Sequence, residues 1–235
     1  MNIQGSVALV TGANRGLGQA FSQGLLAAGA RKVYAASRDP SKITIPGVHA
    51  LRLDITNPQE VAAAARECGD VSLVINNAGI AQPSAFLDPQ SDAAVRAQFD
   101  TNFFGTLAMS RAFAPVLKTN GGGALVNMLS VLSWINMSDI NGYCASKAAA
   151  WSLTNGLRNE LRAQGTLVVG IHAAFIDTDM AKHIPAGKTS PEEVVRLALE
   201  AIAQGHEEVF ADAITKQVKA GLSASPAVYL QDASR

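Results

Sequence analysis

Cysteine is nearly absent from this chain: Cys68 and Cys144 are the only two. Neither belongs to a C-x-x-C pair, which argues against a disulfide framework and leaves no metal-binding pattern to read. Net charge is absent too, because 19 Lys and Arg balance 19 Asp and Glu. That balance argues against a nucleic-acid surface or a polybasic membrane patch. No apolar run approaches the ~18 residues that a membrane-spanning helix requires. The start, Met1-Asn2-Ile3-Gln4-Gly5, lacks the basic stretch and cleavage site of a secretion signal and runs straight into a strand. No internal repeat, low-complexity linker or domain boundary is visible. These absences point to a reducing, cytoplasmic setting. The 235 residues, 48% of them apolar, supply core enough for one α/β domain or two small ones.

What is present begins with Tyr143-Cys144-Ala145-Ser146-Lys147 and, thirteen residues upstream of the Tyr, Ser130. Tyr143 and Lys147 are four apart, so on a helix both leave the same face. A phenol titrates near ~10, and an ammonium beside it favours the phenolate. A Tyr so tuned gives a proton to a carbonyl oxygen or takes one from an alcohol, and a Ser hydroxyl can hold the same oxygen. Taken alone, the pentapeptide fits an amphipathic Tyr beside a solvated Lys better; the rest of the chain reverses that preference.

Along the chain, Ser6–Val10 reads as a buried parallel strand. It ends in Thr11-Gly12-Ala13-Asn14-Arg15-Gly16-Leu17-Gly18, after which Gln19–Ala28 reads as a helix. Glycines in that place let the backbone turn tightly and approach a pyrophosphate, which the helix N-terminus then receives. A second strand, Val33–Ala36, ends in Ser37-Arg38, where an NAD-binding unit would set an acid on the ribose. Arg15 and Arg38 instead suit a 2′-phosphate, although each alone also fits a solvated surface arginine. Further strands are expected at His49–Asp54, Val71–Ile75, Ala124–Met128, Thr166–His172 and Glu208–Ala211. Helices are expected at Pro58–Cys68 with Asn57 as N-cap, Asp92–Lys118, Asn141–Ala163, and after Ser190-Pro191 with a capping box through Glu193. Nearly all-apolar strands alternating with helices mean a parallel sheet covered on both faces, with ligands at the strands' carboxyl ends. Asn102, beside Phe103, Phe104 and Gly105 in mid-helix, is a local misfit of the kind that marks function or strain.

The chain resembles the short-chain dehydrogenase/reductase family over roughly Gly5 to Ala211. The matching motifs are Thr11-Gly12-x3-Gly16-x-Gly18, Asn76-Asn77-Ala78-Gly79, Asn102, Ser130, Tyr143-x3-Lys147 and Asp177-Thr178. The resemblance implies a single-domain, Rossmann-like three-layer sandwich with a mostly parallel sheet of about seven strands, and a small lid at about residues 177–190. It implies hydride transfer between a nicotinamide cofactor and a carbonyl or alcohol. Tyr143 would be the acid/base, Lys147 would lower its pKa and hold the nicotinamide ribose, and Ser130 would orient the substrate oxygen. Asn102 would anchor a water in a proton relay from Lys147. The cofactor would meet Gly12, Asn14, Arg15, Gly16, Leu17, Gly18, Ser37, Arg38, Asp54, Ile55, Asn77, Ala78, Gly79, Tyr143, Lys147, Ile176 and Thr178. Basic residues at 15 and 38 imply NADPH/NADP+ rather than NADH. The competing class is a non-catalytic NADP-binding regulatory or scaffold protein on the same fold.

Expected substrate walls are Ala81, Ser133, Trp134, Met137, Phe175, Met180 and His183, which favours a hydrophobic carbonyl, although Trp134 and Phe175 also fit core positions. No metal, nucleic-acid or membrane partner is expected. The helices carrying Asn102 and Tyr143 would pair across a two-fold axis, giving a homodimer before a tetramer. One departure falls within the site: Ala173-Ala174 stands where the family has Pro-Gly. It leads to an expectation of a more mobile loop and a wider substrate entrance, since Ala tolerates positive φ poorly.

Overall fold

The strands expected from the sequence assemble into one sheet in a computed structural model, which describes residues 1–182, 184–185 and 187–231. Seven strands, β1 Val7–Thr11, β2 Lys32–Ser37, β3 His49–Arg52, β4 Leu73–Asn76, β5 Ala124–Met128, β6 Leu167–His172 and β7 Glu208–Phe210, lie in the order β3-β2-β1-β4-β5-β6-β7. Every neighbouring pair is parallel. The chain starts in the middle and winds outward both ways, so the order reverses between β1 and β4 and a crevice opens there at the carboxyl ends.

Both faces of the sheet are covered, which is why the strands are apolar at successive positions. On one face Val10, Ile75, Val126 and Val169 pack with Phe21 and Leu25 of α1 (Gly16–Ala27) and Val194, Ala198 and Ile202 of α6 (Pro191–Gln204). On the other, Leu9, Val74, Leu125 and Val168 meet α2 (Pro58–Glu67), α4 (Thr106–Thr119) and α5 (Asn141–Leu161) through Val61, Phe113, Leu117, Leu157 and Leu161. A third cluster, Val131, Leu132, Trp134, Cys144 and Val218, fills the space under α7 (Ala213–Gly221).

Several boundaries differ from expectation. The helix expected from Asp92 to Lys118 is split into α3 (Asp92–Phe99), a wide π-type segment over Asp100–Gly105, and α4. The wider turn carries the Asn102 side chain, which bonds outside the helix, and Gly105, where a Cβ would lie 2.7 Å from Ile55 Cδ1. Strand β3 ends at Arg52; just beyond it the Leu53 amide still donates to the Ser37 carbonyl at 2.9 Å and the Asp54 amide to Glu60 Oε2 at 2.7 Å. Asn57 caps α2 as expected, accepting from the Gln59 and Glu60 amides. Ser190 caps α6 through the Glu193 amide, but the Glu193 carboxylate turns to Arg196 at 2.8 Å and leaves the capping box half made.

Candidate active site

The crevice has two walls, one backbone-built and one side-chain-built. The first is the turn after β1. Gly12 and Gly16 hold φ of 67° and 53°, values that suit glycine. Gly18 is set by contact rather than by φ: a Cβ there would fall 2.2 Å from the Gly12 carbonyl oxygen. Helix α1 therefore starts tight against the turn, with no side chain capping its first amides and no acid in its first turn. A helix start whose amides no side chain caps is a cradle for an anion. The turn is bolted to the end of β4, where Thr11 Oγ1 accepts from the Asn77 and Ala78 amides at 3.0 Å and Asn77 Nδ2 donates to the Thr11 carbonyl at 2.9 Å. Beneath, Asn76 donates to Asn127 and Asn127 to Thr154, both at 2.9 Å, which ties β4, β5 and α5 together.

The second wall carries the side chains singled out from the sequence, and the structure brings Asn102, Ser130, Tyr143 and Lys147 together. Asn102 is 1% exposed; its amide donates to the Ile80 carbonyl and to Ser146 Oγ and accepts from the Ile80 amide, each at 2.9 Å. Ser146 donates on to the Tyr143 carbonyl at 2.8 Å, so Asn102 braces the turn of α5 that presents Tyr143 and Lys147. Gly79 keeps the space open: a Cβ there would sit 3.1 Å from Asn102 Oδ1 and 3.6 Å from Lys147 Nζ. Lys147 is 5% exposed and donates to the Met128 carbonyl at 2.7 Å, with its Nζ 5.8 Å from the Tyr143 ring centre. Ser130 caps a short 3-10 turn, Val131–Ser133; its hydroxyl oxygen accepts from the Leu132 amide at 3.1 Å and faces the Tyr143 hydroxyl.

Burial dominates the electrostatics of both groups. Part of the Tyr143 ring is accessible, yet its surroundings exclude water enough for desolvation to push the phenol up to about 12, with the Ser130 hydrogen bond pulling the other way. For Lys147 burial brings the ammonium down to about 8. Both effects have one cause, the cost of keeping a charge in a dry site. At neutral pH both groups keep their protons, Lys147 by the narrower margin.

Other expectations shift as well. Ser37 Oγ donates to the Asp39 carbonyl at 2.8 Å rather than opening toward a ligand, and Arg38 is exposed beside it. Arg15 Nη1 pairs with Asp179 Oδ2 at 2.8 Å, joining the glycine turn to the loop after β6. In that loop Thr178 packs on the turn, 3.2 Å from where a Gly16 Cβ would stand. Asp54 binds back to Thr56, and Ile55 and Leu17 are buried in the core. Asn14 is half-buried at the turn, as is Ile176, which bridges to Thr189. Lys188 pairs with Asp177 at 2.6 Å beside that bridge, closing the base of the expected lid. Among the expected substrate walls, Trp134 is not one: it is buried and stacked on His172, ring centres 4.0 Å apart. Ser133 is used as a cap for Ser130. Ala81, Met137 and Phe175 are half-buried and Met180 is 49% exposed, while His183 lies outside the described residues.

The Ala173-Ala174 departure places no strain on the backbone, since no non-glycine residue among those described has positive φ. The Val131 amide donates to the Ala173 carbonyl at 2.9 Å and the Ala174 amide to Asp212 Oδ2 at 2.8 Å. These bonds fasten the segment that was expected to be loose. Asp212 and Ser146 escaped the sequence reading; the first had a signal, an Asp three residues before Thr215 in N-cap position.

Comparison with known proteins agrees with this geometry. A family model described as short chain dehydrogenase matches residues 6–189. The crystal structure of a short chain dehydrogenase from Burkholderia cenocepacia in complex with NADP is 41% identical, with a TM-score of 0.92 over 96% of each chain. An uncharacterized oxidoreductase of Staphylococcus aureus is 32% identical over 84% of this chain and 91% of its own. A 3-oxoacyl-(acyl-carrier-protein) reductase of Vibrio harveyi is 27% identical over 83% of this chain and 88% of its own.

Proposed function

The chain belongs to the short chain dehydrogenase family, and on that premise we propose that it is an NADPH-dependent reductase of ketones or aldehydes, reversible as an alcohol dehydrogenase. The observation that carries this reading is the joint placement of Ser130, Tyr143 and Lys147 across the crevice from the glycine turn. The cofactor fits what the turn offers. The close approach forced at Gly18 and the uncapped start of α1 suit a pyrophosphate, and Arg15 and Arg38 suit a 2′-phosphate. The NADP in the 41% identical structure supports the same choice. When bound, NADPH supplies the hydride.

The chain's residues do the rest. The Leu132 amide occupies one lone pair of Ser130 Oγ, so the hydroxyl proton is free to point toward the Tyr143 side and hold a substrate oxygen. Tyr143, fully protonated at neutral pH, gives its proton to that oxygen as it gains negative charge. Lys147, near its own pKa, restores the proton to Tyr143. Asn102 holds the helix turn on which both stand. Met137, Phe175 and Met180 give the entrance an apolar lining, which favours a hydrophobic carbonyl.

The test is NADPH consumption, against NADH, over a panel of aromatic ketones, aliphatic aldehydes and a 3-oxoacyl thioester. Turnover of any member with NADPH preferred supports the reading; tight NADPH binding with no single-turnover hydride transfer to any member would replace it with the scaffold class.

We further propose one functional domain with a small lid over residues 177–190, a cytoplasmic setting, and a homodimer built on α4 and α5. Among the described residues no helix is long and apolar enough to cross a membrane, and both cysteines are free. Phe104, 55% exposed beside α4, gives the dimer an apolar contact. Sedimentation at four times 24.4 kDa would contradict the dimer.

A further inference from the structure

His172, the last residue of β6, is fully buried, and the chemistry above does not use it. Its Nδ1 lies 3.1 Å from the Ser130 carbonyl oxygen. A carbonyl oxygen only accepts, so Nδ1 carries the proton, and in the neutral ring Nε2 is a bare acceptor. The ring is neutral because burial, aided by Lys219, Arg158 and Lys147, brings its pKa to about 3 against the pull of the Ser130 bond. Among the described residues Nε2 has no hydrogen-bond partner; Glu208 Oε1 stands off at 3.9 Å while Oε2 is taken by Lys219 at 3.4 Å. Leaving a buried ring nitrogen unpaired costs stability that an apolar side chain of this size would spare. The residue is therefore a poor choice for packing alone.

What the ring does is finish the fixation of Ser130. The Ser130 amide donates to Ser133 Oγ at 3.3 Å, and its carbonyl accepts from both the Ser133 amide at 3.0 Å and His172. The ring itself is held by Trp134, stacked at 4.0 Å and 20°, and by Phe210 at 6.1 Å. Trp134 is held in turn by Lys219, whose Nζ lies 5.1 Å from its ring centre. We propose that His172 is a positioning residue for Ser130: its Nδ1–H, locked by the Trp134 stack, pins the Ser130 carbonyl and so aims the hydroxyl at the oxygen being reduced. This rests on the reading of Ser130 as the group that holds the substrate oxygen.

The test combines turnover with a spectrum that needs no substrate. In NADPH-dependent reduction of 4-nitrobenzaldehyde, His172→Leu should lower kcat about tenfold, with KM and NADPH affinity changed little, the scale expected for a misaimed catalytic group. His172→Asn, which keeps a donor near Nδ1, should recover most of that loss; His172→Gln, which carries its amide nearer Nε2, should not. If His172→Leu fails to fold, the Asn and Gln variants decide alone. In a Ser130→Ala background His172→Leu should cost nothing further in kcat, whereas a merely structural defect would persist. Equal kcat for Asn and Gln, or full additivity with Ser130→Ala, overturns the proposal. If Ser130→Ala itself turns over normally, the reading of Ser130 fails instead. In the parent, imidazole ¹⁵N spectra should show His172 protonated at Nδ1 only from pH 5 to pH 9, as a group of depressed pKa requires; an Nε2–H tautomer overturns the bond and the proposal with it.

Discussion

The two walls of the crevice hold their charges in opposite ways. On the catalytic side Asn102, Ser130 and Lys147 are 1%, 4% and 5% exposed, and each is bonded to neighbouring backbone, Asn102 to Ile80, Ser130 to Leu132 and Lys147 to Met128 of β5. On the cofactor rim the Arg15 and Asp179 side chains are 68% and 70% exposed, and their ion pair spans two loops. Buried polar groups must be satisfied in place, so they fix geometry to fractions of an ångström. Exposed charges gain little from any one partner, so they exchange partners readily. Reaction geometry is therefore stored in the interior and cofactor choice at the surface.

The strongest test of the first half of that contrast is Tyr143→Phe. The ring stays and the proton donor goes, so kcat should fall at least ~10²-fold while NADPH affinity, measured by fluorescence titration, changes little. Near-normal turnover would show that the buried wall is scaffold rather than machinery.

The contrast also explains what could be read from the sequence. The glycine turn was legible because it is local: strand, glycines and helix start follow one another in the chain. Asn102 announced itself as a misfit, and the π-type segment is the structural form of that misfit. The Tyr143–Lys147 pair was legible in position but not in charge, because a four-residue spacing says nothing of desolvation. Trp134 was misread as a wall because its direction depends on the 3-10 turn that Ser130 caps. The ion pair of Arg15 with Asp179 was not legible because the two residues are 164 apart in the chain. His172 was invisible because only the pairing of β5 with β6, Met128 opposite Ile171, brings it beside Ser130.

On the rim, Arg38→Ala should weaken NADPH about tenfold more than NADH, one charge-assisted bond discounted for solvent. Ser37→Asp should shift preference further toward NADH by repelling the 2′-phosphate. Equal changes in KM for both cofactors would move the phosphate away from these residues and weaken the division between the walls.

Lys147 offers a test in which the buried wall is read without any ligand. Its pKa is about 8 in the folded chain against an ordinary 10.5. Between those values the unfolded chain keeps a proton that the folded one has released, so stability rises with pH across this window, by at most about 1.4 kcal/mol per unit. Below about pH 8 both states are protonated and the burial cost stands in full. The difference between the parent and Lys147→Met in urea unfolding isolates this slope from other titrations, including Tyr143 above pH 10. A flat difference would mean that the ammonium is better solvated than its burial implies.

The smallest expected effect bears most directly on how the rim works. Asp179 and a 2′-phosphate compete for Arg15, since both are anions drawing on one guanidinium charge and repel each other when both are close to it. If NADPH draws Arg15 off Asp179, then Asp179 competes with the cofactor, and Asp179→Asn should tighten NADPH about two- to fivefold, the scale of one exposed ion pair. NADH, which lacks the phosphate, should be unaffected, and the gain should shrink in high salt because exposed charges are screened. Arg15→Ala should remove the gain. Were Asp179→Asn instead to weaken both cofactors alike, the pair would be a strut holding the loop after β6 on the glycine turn. The rim would then share the fixed character of the interior.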